Sequence, residues 1–333
     1  NLSESRNRLQ QPGADGRGSG SLERVHWAGS SGARQRMAFD PADYILSPDV
    51  LRDRFNSRIL PQLTAAPSAA PTAIVLGAQP GAGKTVALDH LLRTHPEPVV
   101  ALFADDFRAA HPAYESLMAT QPQNMPAATS QASGAWLHMA IEHGITNRWN
   151  IAWETTFRST EALAADLTTA VEAGYRVEVT ALAVPRAESL LRTVERCINQ
   201  GPAGRVVHVE DHDAPYHQAP KTLTRLAEMN SVDVRVLDTN LNQLHPGGRY
   251  RSAADALKAG RVLPPGAASG LDARVAAARS QLVGLPRSAV APTLRNSLNV
   301  VARAARSTPP RPFTAREPGP QPPTLGREPK LGR

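Results

Sequence analysis

Thr72-Ala-Ile-Val-Leu-Gly-Ala-Gln-Pro-Gly-Ala-Gly-Lys-Thr85 is the stretch whose reading decides the fold. Ile74, Val75 and Leu76 form a short apolar run that reads as a buried strand, and Val86 to Leu92 is helix-forming. Between them, Gly81 and Gly83 let the backbone turn its N–H groups inward, where a side chain would clash. Inward amides at the start of a helix make an anion cradle. The stretch reads as a P-loop. Gln79, Pro80, Gly81, Ala82 and Gly83 wrap the phosphates of a nucleotide, Lys84 reaches the β- and γ-phosphates, and the Thr85 hydroxyl ligates Mg²⁺. The pattern G-x-x-x-x-G-K-[ST] wants Gly at position 78, where this chain has Ala78, with Gly77 one residue early. An ordinary strand-to-helix turn is the plain alternative.

Outward from the loop, residues 99–105, 150–156, 176–184 and 232–237 read as further strands, mostly separated by helical stretches. Alternating strands and helices predict an α/β fold with a mostly parallel sheet flanked by helices. Ligands of such sheets bind beyond the carboxyl ends of the strands, so the residues after each apolar run carry the interest: Asp105, Asp106, Glu154, Thr156 and Arg158. Residues 67–300 are expected to form this domain, closed by helices near 252–259 and 271–283. Residues 37–66 read as a helical segment, with Pro48 at a helix start and Val50, Leu51, Phe55, Ile59 and Leu60 on one face. Residues 1–36 have too few apolar groups to offset ordering entropy and read as a flexible leader; 301–333 read as a Pro- and Arg-rich flexible tail. Asn1 in place of Met implies that the native N-terminus is missing.

The net charge of +7 is concentrated in those extensions: six Arg against three acids in 1–36, and seven Arg or Lys against two acids in 303–333. The middle of the chain is close to neutral, which argues against a nucleic-acid backbone as a partner of the core. The single cysteine, Cys197, cannot form an internal disulfide, and its amphipathic surroundings suggest packing in a core. Nothing approaches the roughly 18 apolar residues of a membrane span, and there is no signal-peptide core. No Cys/His cluster suggests a bound metal.

Phosphoryl transfer asks for a carboxylate to take the acceptor's proton, cations on the developing charge, and groups that orient the acceptor. Asp105 opens Asp105-Asp-Phe-Arg-Ala-Ala-His-Pro112 at a strand end and suits the first role, although it or Asp106 could merely cap a helix. Glu154 follows the apolar Ile151-Ala-Trp153, where a carboxylate is costly unless it is paired or solvated, so it suits acceptor hydroxyls. Arg192, Arg196 and Arg205 flank a Gly/Pro-rich stretch, 199–204, that reads as a mobile lid carrying guanidinium groups to the phosphate; a solvated helix face is the bland alternative.

With these residues in view, 72 to about 240 resembles the zeta toxins, kinases of toxin–antitoxin systems. Their Gly-Gln-Pro-Gly-x-Gly-Lys-Thr loop is similar to Ala78–Thr85. Their Asp-x-Phe-Arg/Lys-x-x-His-Pro motif, led by a catalytic aspartate, is similar to Asp105–Pro112. Their Glu-Gly-Thr-x-Arg resembles Glu154–Arg158, with Thr155 in place of Gly, and their two phosphate-binding arginines resemble Arg196 and Arg205. The resemblance implies Asp105, Lys84, Arg196 and Arg205 as catalytic residues and Arg108, His111, His138, Glu154, Thr156 and Arg158 as acceptor-binding ones. His138 falls where those toxins carry a substrate-binding glutamate, and Trp149 and Trp153 suggest a stacking platform for a base. It implies ATP and Mg²⁺, a nucleotide-type acceptor and an antitoxin or chaperone partner.

The long extensions look most like the zeta-toxin-type type III effectors of plant-pathogenic bacteria, which phosphorylate NAD on the 3′-hydroxyl of its adenosine ribose. On that reading the protein occupies the bacterial cytoplasm before export and is secreted into host cells. The alternative acceptor is the 3′-hydroxyl of UDP-N-acetylglucosamine. A P-loop NTPase switch and a nucleic-acid-binding module that uses the basic ends are the readings from other classes.

Overall fold

The computed structural model describes residues 39–201, 204–264, 266–283 and 291–306. The leader 1–36 and the tail beyond 306 lie outside the described residues. A six-stranded sheet in the order β2-β3-β1-β4-β5-β6 forms the centre: β1 Thr72–Gly77, β2 Val100–Leu102, β3 Ile151–Thr155, β4 Arg176–Ala183, β5 Val232–Asp238 and β6 Gln243–His245. The first five strands are parallel and β6 is antiparallel to β5. Parallel strands need crossovers that cover both faces, and β1, in the middle, is buried along its whole length.

Alternation along β1 divides the core. Ala73 and Val75 face α3 (Ser130–Thr146), α4 (Thr160–Glu172), α6 (Val209–Ala227) and α7 (Ala253–Gly260), in a cluster that also holds Trp136, Leu167, Leu223 and Leu257. Ile74 and Leu76 face α2 (Lys84–Thr94), packed against Ala87 and Leu88. A separate apolar cluster joins α5 (Arg186–Asn199) to α8 (Ala267–Val283) and α9 (Ala291–Arg306) through Leu190, Leu191, Val194, Leu271, Val275, Leu294, Leu298 and Val301. Cys197 is 3% exposed inside this cluster, as its setting in the sequence suggested.

Several boundaries differ from expectation. The N-terminal segment is α1 (Pro48–Arg54), capped by Ser47, which continues as a wide turn over Phe55–Ile59 and a tight one over Leu60–Gln62. Leu51, Phe55 and Ile59 are buried, but Val50 points outward. Strand β2 ends at Leu102, so Asp105 stands in a one-turn helix, Ala104–Phe107, rather than at a strand end. Residues 301–306, expected in the tail, belong to α9, whose Val301, Ala302 and Ala305 are buried.

Candidate functional site

The loop after β1 is shaped by what lies against it. Gly81 has φ +75, and a Cβ there would lie 2.0 Å from the Ser189 carbonyl oxygen and 2.9 Å from the Thr193 methyl of α5. Only glycine lets α5 sit directly on the turn. The displaced glycine has a cause as well. A Cβ on Gly77 would fall 1.8 Å from Cζ of Phe157, whose ring is fully buried, while the Ala78 methyl finds room at 1% exposure. Phe157 itself has φ +58, in a turn where Thr155 Oγ1 accepts its backbone N–H at 3.2 Å; the Thr that replaces Gly therefore holds the turn.

Within the cradle, Lys84 Nζ donates to the carbonyls of Ala78 at 3.0 Å and Gln79 at 3.4 Å, so its ammonium is folded back over the loop. Burial pulls its pKa down; Glu154 opposes this, and Arg196 and Arg205 add to it. Such a desolvated ammonium, with two guanidiniums within electrostatic reach, is a place for an anion. Thr85 Oγ1 donates to Glu154 Oε1 at 3.1 Å. That places an oxygen-only donor pair, hydroxyl plus carboxylate, at the helix start, the chemistry a hard cation such as Mg²⁺ prefers. Among the described residues no group of three or more His, Cys, Asp or Glu could hold a metal alone. Thr85 and Glu154 would hold Mg²⁺ only together with phosphate oxygens and water.

Asp105, in the short helix after β2, stands within electrostatic reach of Lys84. Arg108, 7% exposed, donates from Nε to Asp105 Oδ1 at 2.8 Å and from Nη1 to the Pro126 carbonyl at 2.7 Å and Thr129 Oγ1 at 2.6 Å. Arg205 Nη1 lies 3.6 Å from Asp105 Oδ2. The cleft walls partly desolvate Asp105 and oppose its ionisation, but Arg108, Arg205 and Arg196 outweigh them and hold the carboxyl below its usual range. Arg205 is in turn lowered, mainly by burial. The arginine expected to bind the acceptor therefore clamps the carboxylate.

His111 is also committed to the fold: its Nδ1 accepts the Ala113 N–H at 3.1 Å, its Nε2 bonds to the Tyr44 carbonyl at 3.1 Å, and burial lowers its pKa. The remaining acceptor candidates do meet. His138, Glu154, Thr156 and Arg158 line one cavity of about 180 Å³ with Trp153 and Asp166. His138 Nδ1 lies 3.1 Å from Asp166 Oδ1 and its Nε2 3.3 Å from Glu142 Oε1, while burial raises the Asp166 carboxyl. Arg158 reaches Asp211 Oδ1 at 3.4 Å. The stacking platform is absent: Trp149 is 6% exposed with its ring edge-on to His143, and Trp153 is 2% exposed and gives the cavity only part of its wall. Nor do Arg192 and Arg196 stand on a mobile lid. Both belong to α5, the helix packed on the loop through Ser189 and Thr193.

Sequence reading missed a buried polar network behind the cradle. Gln79 is fully buried, with Nε2 donating to the Val184 carbonyl at 3.0 Å and to Ser189 Oγ at 3.1 Å, while Oε1 accepts from Arg261 Nη2 at 3.1 Å. Ser189 Oγ meets His212 Nε2 at 2.9 Å, and His212 Nδ1 meets Asp213 Oδ1 at 3.0 Å, itself bound by Arg186 Nε at 2.7 Å. Gln79 therefore faces away from the cradle with its side chain and serves it through its backbone. Arg261 also donates to the Tyr216 carbonyl at 2.6 Å and lies 4.0 Å over that residue's ring.

The zeta toxin family model matches residues 57–249, which include the loop, Asp105, Glu154, Arg196 and Arg205. The chain belongs to the zeta toxin family. "Toxin zeta" of Enterococcus hirae is 25% identical over 181 residues, 54% of this chain and 58% of that relative, and the protein of the same name from Streptococcus pyogenes aligns equally. The match thus spans little more than half the length of these curated relatives. A solved structure from the PezAT chromosomal toxin–antitoxin system of Streptococcus pneumoniae covers 72% of this chain and 97% of its own, at TM-score 0.59 and 19% identity. That likeness concerns the fold, the P-loop α/β sheet expected from the strand pattern.

Proposed function

We propose that this zeta toxin family chain is a kinase that transfers the γ-phosphate of ATP to a sugar hydroxyl of a nucleotide-type acceptor. The observation that carries the reading is the convergence on one edge of the sheet of a folded-back Lys84, a Thr85–Glu154 oxygen pair and a carboxylate held between Arg108 and Arg205. Bound Mg²⁺ would neutralise charge on the phosphates. Asp105 takes the proton of the acceptor hydroxyl as its oxygen bonds to the γ-phosphorus, and the bond from the γ-phosphorus to the bridging oxygen breaks to leave ADP. Arg196 and Arg205 face the charge that builds on the equatorial oxygens. Because the Asp105 carboxyl is held low, it is ionised throughout the neutral range and is ready to accept.

For the acceptor we favour NAD, phosphorylated on the 3′-hydroxyl of its adenosine ribose. Support comes from the cavity beside Glu154, where His138 stands between Asp166 and Glu142. His138 stands where the resemblance places a substrate-binding glutamate in toxins that act on UDP-N-acetylglucosamine, and this departure in the cavity lining favours a different nucleotide-type acceptor. Family membership favours the second acceptor and keeps it in the test. An antitoxin or chaperone as partner, and export to a host cell, belong to the same proposal.

The test incubates the purified chain and its Asp105→Asn variant with ATP-Mg²⁺ and either NAD or UDP-N-acetylglucosamine, and reads the products by mass spectrometry. NAD should gain one phosphate at a position distinct from the 2′-phosphate of NADP. Asp105→Asn should retain ATP binding and lose transfer by several orders of magnitude. Phosphorylation of UDP-N-acetylglucosamine alone would overturn the acceptor, and wild-type turnover by the variant would overturn the role of Asp105.

A further inference from the structure

The last two helices, α8 and α9, lie after residue 249, where the family match ends, and pack against α5. One side chain makes that contact polar and specific. Arg274 of α8 donates from Nε and Nη2 to the two oxygens of Glu195, at 2.8 and 2.7 Å, and from Nη1 to both oxygens of Glu188, at 2.8 and 2.9 Å. A single guanidinium thus bridges two carboxylates two turns apart on α5. Glu188 has a second partner, because its Oε1 also accepts from Arg192 Nε at 2.9 Å. Arg192 in turn overhangs the phosphate cradle, with Nη1 3.8 Å from the point a Cβ on Gly83 would occupy. Among the described residues no hydrogen bond engages its Nη1 or Nη2.

We propose that Arg192 is a further phosphate-binding residue of the nucleotide site and that Arg274, acting through Glu188, is its positioning residue. The helices beyond the family-matched region then set the affinity for ATP. The sharing of donors explains how. Glu188 paired with Arg192 alone would neutralise it and compete with phosphate for its donors. Shared with Arg274, Glu188 is fixed in place and anchors Arg192 through Nε alone, so the outer nitrogens keep their donors for an anion over the amides at Gly83. Glu195 holds the other half of the Arg274 fork and fixes its angle.

The inference rests on the reading of this cradle as an ATP site, and the measurement is therefore calorimetric titration of the full chain with ATP-Mg²⁺, which needs no acceptor. Arg192→Ala, which removes a half-exposed side chain outside the core, should weaken ATP binding roughly tenfold or more, as expected for loss of charged hydrogen bonds. Arg274→Ala should weaken it roughly three- to tenfold in the wild-type background and cause no further loss in the Arg192→Ala background, because the two act through one carboxylate. Unchanged ATP affinity in Arg192→Ala overturns the proposal, as does an Arg274→Ala effect that simply adds to it. A merely structural Arg274 would lower the melting temperature and leave ATP affinity alone. If wild type binds no ATP, the reading of the cradle fails and this inference falls with it; if wild type binds and Arg192→Ala binds equally, only this inference fails.

Discussion

Arg108→Ala separates two roles that the sequence could not distinguish. As an acceptor ligand, Arg108 would lose substrate affinity when truncated; as the clamp seen here, it would lose catalytic rate. The side chain is buried and spends its donors on Asp105 Oδ1, the Pro126 carbonyl and Thr129 Oγ1. Truncation strands the Pro126 carbonyl and removes one partner from Thr129, whose hydroxyl keeps its bond to the Met125 carbonyl at 2.8 Å. At roughly 1–3 kcal/mol for a buried group left without a partner, the variant should be about 1–3 kcal/mol less stable. Asp105 would then be held from one side only, by Arg205 at 3.6 Å. A displacement of about 1 Å in a reacting group costs on the order of a hundredfold in rate, or about 2.7 kcal/mol, so kcat should fall by that factor with the acceptor KM nearly unchanged. The Asp105 carboxyl should also titrate higher, since Arg108 is the foremost of the cations that lower it, and the acid limb of the kcat/KM profile should move up. Arg108→Lys keeps the charge but cannot fork to three acceptors, and should recover less than half of the lost rate in logarithmic terms. Steady-state kinetics over a range of pH, on enzyme shown to be folded by urea titration, decides the matter. A variant that keeps kcat and the acid limb while its acceptor KM rises tenfold would refute the clamp.

Lys84→Ala and Thr85→Asn should each abolish phosphoryl transfer while circular dichroism shows an intact fold, since both side chains lie at the cradle rather than in the core; normal turnover in either would remove the P-loop from the chemistry. Gly77→Ala should destabilise the chain by roughly 1–3 kcal/mol through overpacking against the Phe157 ring, and adding Phe157→Leu should return part of that loss in urea titrations. His111 and His212 are both lowered by burial, so below about pH 6.5 the unfolded chain binds protons that the folded chain refuses. Stability from these two groups is complete above that pH and declines as pH falls below it, by at most about 1.4 kcal/mol per pH unit for each histidine; urea midpoints that stay flat from pH 7.5 to 5.5 would contradict the burial of neutral imidazoles.

What the sequence made legible was local. The P-loop, four strands and the Asp105 motif each depend on residues within about ten positions of one another, where apolar runs and glycine spacing are sufficient. Antiparallel β6 is three residues long, too short for alternation to show. Helix α9 carries its pattern in Leu294, Leu298, Val301 and Ala305 and runs six residues past the expected domain end, with Pro292 in the first turn, where proline is tolerated. The Gln79–Arg261 bond joins positions 182 apart, and no local pattern announces it.

Parity explains why Trp153 forms no stacking platform. Trp149 and Trp153 suggest a platform for a base, and Trp153 is the neighbour of Glu154 at the end of β3. Yet successive residues of a strand face opposite ways. In the parallel register Trp153 pairs with Val75 and Glu154 with Leu76. Val75 belongs to the core shared with α3 and α4, whereas Leu76 faces α2, whose first turn carries Thr85. The strand therefore sends the tryptophan into the core and the carboxylate to the α2 side, where it meets the Thr85 hydroxyl at 3.1 Å. Trp153, 2% exposed, thus gives an acceptor base little ring face to stack on, so discrimination between acceptors falls to the polar part of the wall, His138, Asp166 and Arg158. His138→Glu, which restores the residue type that the resemblance places at this position, is accordingly the substitution that should shift acceptor preference, and it leaves Trp153 where β3 puts it.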